Sequence, residues 1–554
     1  MYYLKFILFT VILLLPISVN AQLPIKDNIA SYIKSGSRAT VNALYEANNY
    51  NPLWIGSENS KQFSQLLRAL GNPLFNYKYK QLNQDKIIDL ALQDENNAKL
   101  DILATEAYLK LIHFIRAGDV DWALVKRKLH GLKTSQDVHA TWEISPKSMP
   151  SSDSILSSIQ NKNIKGYLSS LLPLVGQYKP LVIMLERYRN MPSLGKIQYG
   201  KILKKGRQDS RIRTIKKLLQ FTGDFPKNES TGTGYTKSLS RAIISFKNRF
   251  NLAKGDYIDN KVINYLNTSK QEYIKKITTN LDMLKLQPHR FEANHVQINV
   301  PEFKLRYYQG GAEAFSSDIV VGRIDRPTPI FNDKIEYLVL NPTWTLTDNL
   351  VKKDLIPMLK ENPNYLKENN MRVFTSYKKD AKESPLNLQK LFSYEHSKKP
   401  VPYRFVQYPG ENNALGRVKF MFPNKYAVYL HDTDNKSLFK HRYRVFSSGC
   451  MRVKKPFDFM YELFGNAGNS YSKSKIQSIF ATNEPTTIRL KRAVPVYTLY
   501  QTVRRSEGKD LFFYDVYMYE QIVRESTAGN KKATFRVPEK RLTKIKRVQG
   551  ASVR

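Results

Sequence analysis

The chain has 554 residues, of which 42% are hydrophobic and 25% are charged. A chain of this length and composition can bury more than one hydrophobic core, which excludes a disordered protein and predicts several domains. Lysine and arginine outnumber aspartate and glutamate by 88 to 48, and the net charge of +40 favours a polyanionic partner without choosing among nucleic acid, an acidic membrane surface and an acidic wall polymer.

The first residues have the pattern of a secretory signal peptide. Lys5 precedes the apolar run Phe6 to Leu15, Pro16 ends it, and Val19-Asn20-Ala21 supplies small or modest residues before a cleavage site. We predict a signal over residues 1–21 and no transmembrane span after its cleavage, because a span needs roughly 20 apolar residues. An uncleaved anchor is the alternative. Export makes nucleic acid a poorer partner than anionic peptidoglycan or the inner face of an outer membrane.

Residues 22–200 predict a helical scaffold domain. The apolar residues that recur at intervals of three and four, as one buried helix face requires, lie in Thr40 to Tyr50, Asp101 to Ala117, Ala123 to Leu132 and Tyr167 to Tyr188. The stretch Pro146 to Ser158 is rich in serine and proline and predicts a loop.

Residues 201–270 predict three short helices. Leu239 to Phe250 and Ile258 to Leu266 each present one apolar face, with Gly255-Asp256 as a turn between them. The order of these apolar residues and the turn resembles the small peptidoglycan-binding module found on many wall enzymes. Tyr257 stands where that family usually has glycine.

After residue 286 the hydrophobic period changes from helical to alternating. Val296 to Val300 and Phe303 to Tyr308 alternate apolar and polar residues, and Tyr337 to Leu340 is a short buried run. Two later segments, Thr487 to Val503 and Leu511 to Tyr517, also predict strands that close the same sheet. These patterns predict a mainly β domain over residues 294–520.

A polar, lysine-rich segment, residues 348–409, interrupts this β pattern and contains several prolines. An insertion of this size predicts a mobile cap over a site rather than a structureless loop. The predicted fold class is therefore α+β and multidomain, with a helical scaffold domain, a three-helix module and a mainly β domain that carries an inserted cap subdomain.

Cys450 is the only cysteine in the chain. An exported protein normally pairs its cysteines in disulfides, so a lone thiol is a buried inert group, an intermolecular disulfide partner or a nucleophile. It ends the turn Ser447-Ser448-Gly449-Cys450, before a predicted helix, Pro456 to Phe464. His431 lies 19 residues upstream, where the predicted strand Tyr426 to Leu430 ends. Because a cysteine nucleophile attacks as thiolate and needs a neighbouring base, the pattern favours a Cys450–His431 pair.

The residues around the cysteine suit that chemistry. Arg452, Lys454 and Lys455 add positive charge that favours a thiolate. The small residues of the turn allow the amides of Gly449 and Cys450 to face a developing oxyanion.

At these residues the sequence resembles the L,D-transpeptidases with a YkuD-type catalytic domain, especially the large periplasmic branch typified by YcbB. The segments that carry the resemblance are Val320 to Phe331 (VVGRIDRPTPIF), Asn341 to Trp344, Asn413 to Phe420 (NALGRVKF), His431 to Thr433 and Ser447 to Val453. The order of modules extends the resemblance over nearly all of the chain that follows the signal. Many members have histidine two residues before the cysteine, whereas Ser448 stands here, as in the large branch.

The resemblance implies Cys450 as the nucleophile and His431 as the general base and acid, with the backbone carbonyl of Asp432 orienting the imidazole. It implies an oxyanion and substrate site that contains Tyr429, Gly449, Ser447, Ser448, Arg452 and Trp344. It implies no metal and no organic cofactor.

The implied reaction is attack on the carbonyl between the third residue of a tetrapeptide stem, usually meso-diaminopimelate, and the terminal D-Ala. D-Ala leaves, and a side-chain amine of a neighbouring stem resolves the thioester into a 3-3 cross-link. Water as acceptor would give an L,D-carboxypeptidase, and an outer-membrane lipoprotein lysine would give an anchoring enzyme. The resemblance also implies the periplasm of a Gram-negative-type envelope and acylation by carbapenems, and it leaves open docking of a peptidoglycan synthase or a D,D-carboxypeptidase.

Two other classes of function remain: a secreted cysteine peptidase that trims wall peptides, and a noncatalytic peptidoglycan-binding scaffold. The last segment, residues 530–554, is a basic tail, with eight Lys/Arg between Lys531 and Arg547 against Glu539 alone. Such a run predicts a solvated tail with nonspecific attraction to anionic wall or lipid.

Overall fold

The computed structural model describes residues 22–35, 39–93, 97–136, 140–376, 378 and 380–527. The predicted signal over residues 1–21 and the predicted basic tail over 530–554 lie outside the described residues. Within the described ranges, no helix has both the length and the apolar character needed to cross a membrane.

The N-terminal part of the chain is helical and has its own core. Buried side chains from successive helices, such as Leu44, Trp54, Leu66, Ile112 and Ile155, form this core. Its helices are α1 Gln22–Ser35, α2 Ala39–Ala47, α3 Ser60–Leu70, α4 Gln84–Gln93, α5 Ala98–Ala117, α6 Trp122–Gln136, α7 Ser152–Gln160 and α8 Ile164–Leu171.

The structure differs from the loop predicted over Pro146 to Ser158, because α7 begins at Ser152. The hydroxyl of Ser151 accepts a hydrogen bond from the Ser154 N–H at 3.3 Å and caps the helix. Serine is a favoured N-cap residue, so a serine-rich stretch that predicts a loop also suits a helix start.

A second helical group follows, with a core of its own. Its helices are α9 Tyr178–Arg189, α10 Arg211–Thr222, α11 Lys237–Arg249, α12 Asn260–Leu266 and α13 Lys270–Leu284. The N-cap side chains of Thr236, Asp259 and Ser269 each accept an N–H from the first turn and so fix where α11, α12 and α13 begin.

A hairpin near the C-terminus packs on this helical group. Its strands pair only with each other in the described chain, and Val503 and Phe512 lie in the helical core. Phe512 stacks on Phe250, with ring centroids 5.1 Å apart. The prediction that Leu511 to Tyr517 closes the catalytic sheet was therefore wrong, because this strand buries its aromatic ring against helices instead.

The β domain is built on one sheet of nine strands. They are β1 His295–Asn299, β2 Lys304–Gln309, β3 Ala312–Gly322, β4 Asn332–Leu340, β8 Val418–Met421, β9 Leu430–His431, β10 Val445–Ser447, β11 Met451–Val453 and β12 Thr486–Leu499. Their order in the sheet is β10-β3-β11-β9-β8-β4-β12-β1-β2, and a further pairing of β2 with β3 closes the sheet on itself. The remaining strands are β5 Trp344–Thr345, β6 Met371–Phe374, β7 Arg404–Gln407, β13 Val503–Ser506 and β14 Lys509–Phe512.

One large core fills the sheet and joins it to flanking helices. The ring of Phe459, on α18 Pro456–Ala467, packs against Tyr307, Phe315 and Phe420 from three strands. Helices α6, α19 Lys473–Thr482 and α20 Tyr519–Glu525 contribute further apolar side chains. The predicted α+β multidomain fold class is confirmed.

The segment predicted as an inserted cap has ordered structure and a separate core. Strands β5, β7 and β6 form a three-stranded sheet apart from the main sheet. Around them lie α14 Asp348–Leu350, a π-helical turn Val351–Leu355, α15 Ile356–Glu361, α16 Tyr365–Glu368 and α17 Leu388–Phe392. Val351, Leu355, Leu391 and Phe405 are fully buried in this core.

The helical scaffold depends on a buried carboxylate, Asp101. Its oxygens accept hydrogen bonds from the N–H groups of Leu53, Trp54 and Ile55 at 2.8–3.1 Å and from the Tyr45 hydroxyl at 2.5 Å. We expect Asp101→Ala to lower the free energy of unfolding of this unit by about 3–5 kcal/mol, because it leaves several buried donors unpaired.

Urea denaturation followed by tryptophan fluorescence measures this effect, since Trp54 lies in the same core. The matched control is Asp153→Ala on the exposed side of α7, with an expected change below about 0.5 kcal/mol. Equal midpoints for the two variants would contradict the assignment.

Candidate active site

His431 lies in β9 and is buried, with 4% of its surface exposed. One ring nitrogen, Nδ1, stands 2.5 Å from the backbone carbonyl oxygen of Asp432. A carbonyl can only accept, so Nδ1 carries the hydrogen and Nε2 keeps a free lone pair. This is the orientation that the family resemblance implies for a general base.

The strand predicted over Tyr426 to Leu430 is shorter in the structure. Only Leu430–His431 pairs as a strand, and Ala427 has a φ of 53°, in the left-handed region. The Asn424 side chain organises a turn instead, because its amide donates to the carbonyl of Val428 at 2.8 Å and its oxygen accepts from the N–H of Tyr426 at 3.0 Å.

The peptide that orients the imidazole is itself held in place. The Asp432 N–H donates to the Val418 carbonyl at 2.9 Å, and the Asp432 carboxylate accepts the Arg417 N–H at 3.0 Å. Gly416 is required here, because a Cβ on it would stand 2.3 Å from that carboxylate and its φ is 59°. Residues of the NALGRVKF segment therefore hold the Asp432 peptide in place, and this peptide orients the imidazole of His431.

Cys450 lies in the bend between β10 and β11 and is half-buried. The Met451 N–H donates to the Tyr429 carbonyl at 3.0 Å, and the parallel register places Met451 beside Leu430 and Arg452 beside His431. Side chains alternate along a strand, and Met451 and Leu430 point into the core. The opposite face therefore carries the thiol of Cys450, the guanidinium of Arg452, the phenol of Tyr429 and the imidazole of His431.

The cysteine turn rests on the loop after β3. The Thr328 hydroxyl donates to the Gly449 carbonyl at 2.8 Å and accepts the Gly322 N–H at 2.9 Å. The Tyr517 hydroxyl donates to the Gly322 carbonyl at 2.7 Å. A Cβ on Gly322 would stand 2.2 Å from the Arg326 carbonyl, so only glycine fits this contact.

Two residues predicted for the oxyanion and substrate site, Gly449 and Trp344, make other contacts in the structure. The Gly449 N–H donates to the Ser447 hydroxyl at 3.3 Å, within the turn, and the Ser447 hydroxyl donates to the Cys450 carbonyl at 2.5 Å. Gly449 has a φ of 116°, a backbone conformation that glycine adopts without strain, so glycine is favoured at this position. Trp344 lies in β5, and its ring packs against the core of the inserted segment.

Burial determines the charge state of the central pair. Desolvation raises the pKa of the Cys450 thiol, although hydrogen bonds from Tyr429 and the charges of Lys419 and Arg452 oppose it. Desolvation, with the charge of Arg452, lowers the pKa of His431 to about 3. These shifts favour a neutral thiol and a neutral imidazole at neutral pH. Positive charge does lower the pKa of the thiol, as predicted, but burial raises that pKa by more.

Tyr429 lies next to the nucleophile. Its backbone and its hydroxyl both lower the pKa of the Cys450 thiol, whose own hydrogen bond goes to the Ala427 carbonyl at 4.0 Å. Burial and the neighbouring sulfur raise the pKa of this phenol well above its usual range, so it remains a donor. Its ring also stands edge-to-face with the imidazole of His431, with centroids 5.7 Å apart.

Two cations lie on the same face. Arg452 donates to the Thr433 hydroxyl at 3.1 Å. Lys419, on β8, pairs in register with His431, and its Nζ stands 4.0 Å from the centroid of the Tyr429 ring. Lys419 was not among the residues predicted for the site, although it lies in NALGRVKF, one strand from the histidine.

The inserted segment contacts the cysteine turn through a buried arginine. Arg326, 6% exposed, donates two hydrogen bonds to the Asp354 carboxylate at 2.5 and 3.1 Å and one to the Ser448 hydroxyl at 2.9 Å. Asp354 lies in the π-helical turn, a conformation that occurs often at functional sites. Sequence reasoning missed Arg326 and Asp354 because their partners are distant in the chain.

The described residues contain no group of three or more histidine, cysteine, aspartate or glutamate side chains that could hold a metal ion. What the site does offer is a thiol, a base with a fixed tautomer, a phenol donor and two cations on one face. These groups suit acyl transfer through a covalent thioester.

Comparison with protein families confirms the resemblance to the L,D-transpeptidase catalytic domain. Residues 293–469 match the model of the L,D-transpeptidase catalytic domain, and residues 39–185 match a scaffold-domain model. A putative L,D-transpeptidase of Haemophilus influenzae is 31% identical over 258 residues, which cover 46% of this chain and 50% of the relative. The chain thus spans about half the length of the curated relative that it matches.

Solved L,D-transpeptidases overlap this chain more weakly. The catalytic domain from Enterococcus faecium is 18% identical, covering 38% of this chain and 99% of that one, with a TM-score of 0.15. The L,D-transpeptidase of Stackebrandtia nassauensis is 11% identical, covering 55% of this chain and 97% of that one, with a TM-score of 0.21. The domain assignment rests on the family models and the sequence relative.

The charge state of the pair predicts how the thiol responds to pH. A pKa above the ordinary thiol value of about 8.5 means that little thiolate exists at pH 7, so the rate of alkylation by iodoacetamide should rise about tenfold per pH unit up to about pH 9. Cys450→Ala is the blank. A rate that reaches its plateau below about pH 7 would instead indicate a stable thiolate–imidazolium pair.

Proposed function

Since residues 293–469 carry a YkuD-type L,D-transpeptidase catalytic domain, we propose that this protein forms 3-3 cross-links in peptidoglycan through an acyl-enzyme on Cys450. The observation that carries the proposal is the parallel pairing of β9 with β11, which sets the thiol and a base of fixed tautomer on one face. The donor is a tetrapeptide stem, and the bond cut joins its third residue to the terminal D-Ala.

In the acylation step, Nε2 of His431 takes the thiol proton as the sulfur of Cys450 bonds to the scissile carbonyl carbon. The oxyanion of the tetrahedral intermediate accepts a hydrogen bond from the Tyr429 hydroxyl, which remains protonated. Collapse breaks the C–N bond, and the imidazolium gives its proton to the leaving nitrogen. D-Ala leaves, and the third stem residue stays on the sulfur as a thioester.

The low pKa of His431 opposes uptake of the thiol proton, so this uptake must accompany attack on the carbonyl, and it favours return of the proton to the leaving group. An imidazolium that is unstable in its buried site returns its proton readily, here to the amine of D-Ala. In the second step the neutral imidazole takes a proton from an acceptor amine, which attacks the thioester and releases the thiol. The acceptor of the proposed function is the side-chain amine of a neighbouring stem.

We propose that the inserted segment is a cap that determines whether an amine or water resolves the thioester. It packs around its own core and reaches the cysteine turn through Arg326 and Asp354. A cap held over the thioester by this pair would exclude bulk water and favour aminolysis.

The proposed domains place this chemistry on a wall-binding protein of the periplasm. They are a signal over 1–21, a scaffold over 22–200, a peptidoglycan-binding-like module over 201–270, a catalytic domain over 294–520 with its cap over 348–409, and a basic tail over 530–554. The helices and hydrophobic core of the second helical group support the module, and the net charge of +40 suits a polymer that carries carboxylates. The proposed protein partners, a synthase, a D,D-carboxypeptidase or an outer-membrane lipoprotein, stay predictions from the resemblance.

Cys450→Ala should abolish both D-Ala release from tetrapeptide stems and 3-3 dimer formation, because no other cysteine exists in the chain. Muropeptide analysis by mass spectrometry measures both products, and an unchanged thermal unfolding curve shows that the variant folds. Continued cross-linking by folded Cys450→Ala would contradict the proposal. Wild-type protein that trims stems without dimers would favour the peptidase, and one that only binds sacculi would favour the noncatalytic scaffold.

Asp354→Asn should raise the ratio of hydrolysis to cross-linking several-fold, because it removes the charge that ties the cap to Arg326. The ratio is measured from tripeptide and dimer products of one stem donor. The matched control is Glu361→Gln, an exposed carboxylate in the same segment. A ratio equal to that of the control would show that this ion pair does not govern the acceptor.

A further inference from the structure

Lys419 lies beside the nucleophile and was not part of the acyl-transfer chemistry above. Its register opposite His431 places it on the active-site face of β8, and the side chain is half-buried. Its Nζ stands over the ring of Tyr429, 4.0 Å from the centroid, and both Lys419 and Tyr429 are near enough to Cys450 to lower the pKa of its thiol. The ammonium therefore borders the space that a bound scissile carbonyl would enter.

This ammonium has no anionic partner within the described chain. Nearby lysines are paired, Lys425 with Glu143 and Lys436 with Asp432, whereas no carboxylate of the described residues lies within 4.0 Å of Lys419 Nζ. Burial lowers its pKa, and the neighbouring Cys450 is the group that opposes this shift. Since the thiol is neutral at rest, the charge that would balance Lys419 is missing from the resting site.

An unpaired cation taken out of water is costly, and such a group suits a site where a ligand brings the opposite charge. Under the proposed function, the donor stem brings one. The carboxylate of the terminal D-Ala is attached three bonds from the scissile carbonyl carbon, which puts it within about 3–4 Å of the atom that the sulfur attacks. A cation bordering the thiol is therefore within reach of this carboxylate.

We infer that Lys419 binds the free carboxylate of the fourth stem residue and thereby selects tetrapeptide stems as donors. The inference rests on the proposed function and adds its donor specificity. In a pentapeptide stem the same carbon is part of a peptide bond and carries no charge, so the ion pair with Lys419 is lost. A terminal carboxamide has the same effect with almost no change of size.

Lys419 could instead act only on the thiol, by stabilising the thiolate during attack. That role would help every donor equally, whereas carboxylate binding helps only donors with a free acid. The two roles therefore separate when one stem peptide is compared as its free acid and as its C-terminal carboxamide.

The experiment measures kcat/KM for release of D-Ala from a tetrapeptide stem and of D-alaninamide from the matching carboxamide. Wild-type protein should prefer the acid by a factor of about 10–100, the range expected for a charge-assisted hydrogen bond. Lys419→Met should lose about that factor on the acid and almost nothing on the amide. Lys419→Arg should keep most of the preference, and Lys334→Met, an exposed lysine of β4, should match wild type.

Equal losses on acid and amide in Lys419→Met would overturn the inference and leave a thiolate role alone. Wild-type protein that shows no preference would overturn it without any variant, so a Met variant that fails to fold leaves the test intact. Wild-type protein that cleaves neither donor, while iodoacetamide still alkylates the thiol, would refute the proposed function and this inference with it. Cleavage of both donors at equal rates would refute the inference only.

Discussion

The parallel pairing of β9 with β11 is the constraint on which the site depends. The hydrogen bond from the Met451 N–H to the Tyr429 carbonyl fixes the register, and the alternation of side chains then determines which residues meet. Met451 and Leu430 enter the core, so Cys450 and His431 must share the other face. A slip of one residue in this pairing would turn the thiol towards the core and separate it from the imidazole of His431. The glycines at 322 and 416, and the loop that carries Thr328, all serve to hold these two short strands and the turn between them.

Burial on that face has a chemical consequence. The imidazole and the thiol are both desolvated, which favours the neutral form of each. The neighbouring cations reinforce this effect on the imidazole and oppose it on the thiol. Under the proposed function the thiolate forms only as the sulfur attacks a carbonyl. A neutral thiol is also less reactive towards oxidants than a thiolate. Burial also keeps the Tyr429 hydroxyl protonated, so it remains a hydrogen-bond donor. Lys419 is desolvated as well and has no carboxylate partner among the described residues. Under the proposed function, donor binding and proton transfer take place on this face, and Arg326 links its cysteine turn to the inserted segment.

Much of this could be predicted from the sequence, and the failures have physical causes. The α+β multidomain class and the catalytic family followed from hydrophobic periods and from motifs around Cys450 and His431, because those signals are local. The strand before His431 was predicted too long, since Asn424 uses its side chain to make a turn inside an apolar run. The hairpin at β13 and β14 was assigned to the wrong core, because alternation shows that a strand has a buried face but not what covers it. Lys419, Arg326 and Asp354 were missed for a related reason: their importance lies in partners that the chain brings together only on folding.

In the proposed reaction Cys450, with His431 as its base, attacks an acyl group to form a covalent thioester. Intact mass spectrometry after incubation with a carbapenem probes this step, since the resemblance implies that such compounds acylate the cysteine. We expect a single adduct that peptide mapping assigns to Cys450 and that is absent from Cys450→Ser. An unmodified mass for folded, reduced wild-type protein would contradict it.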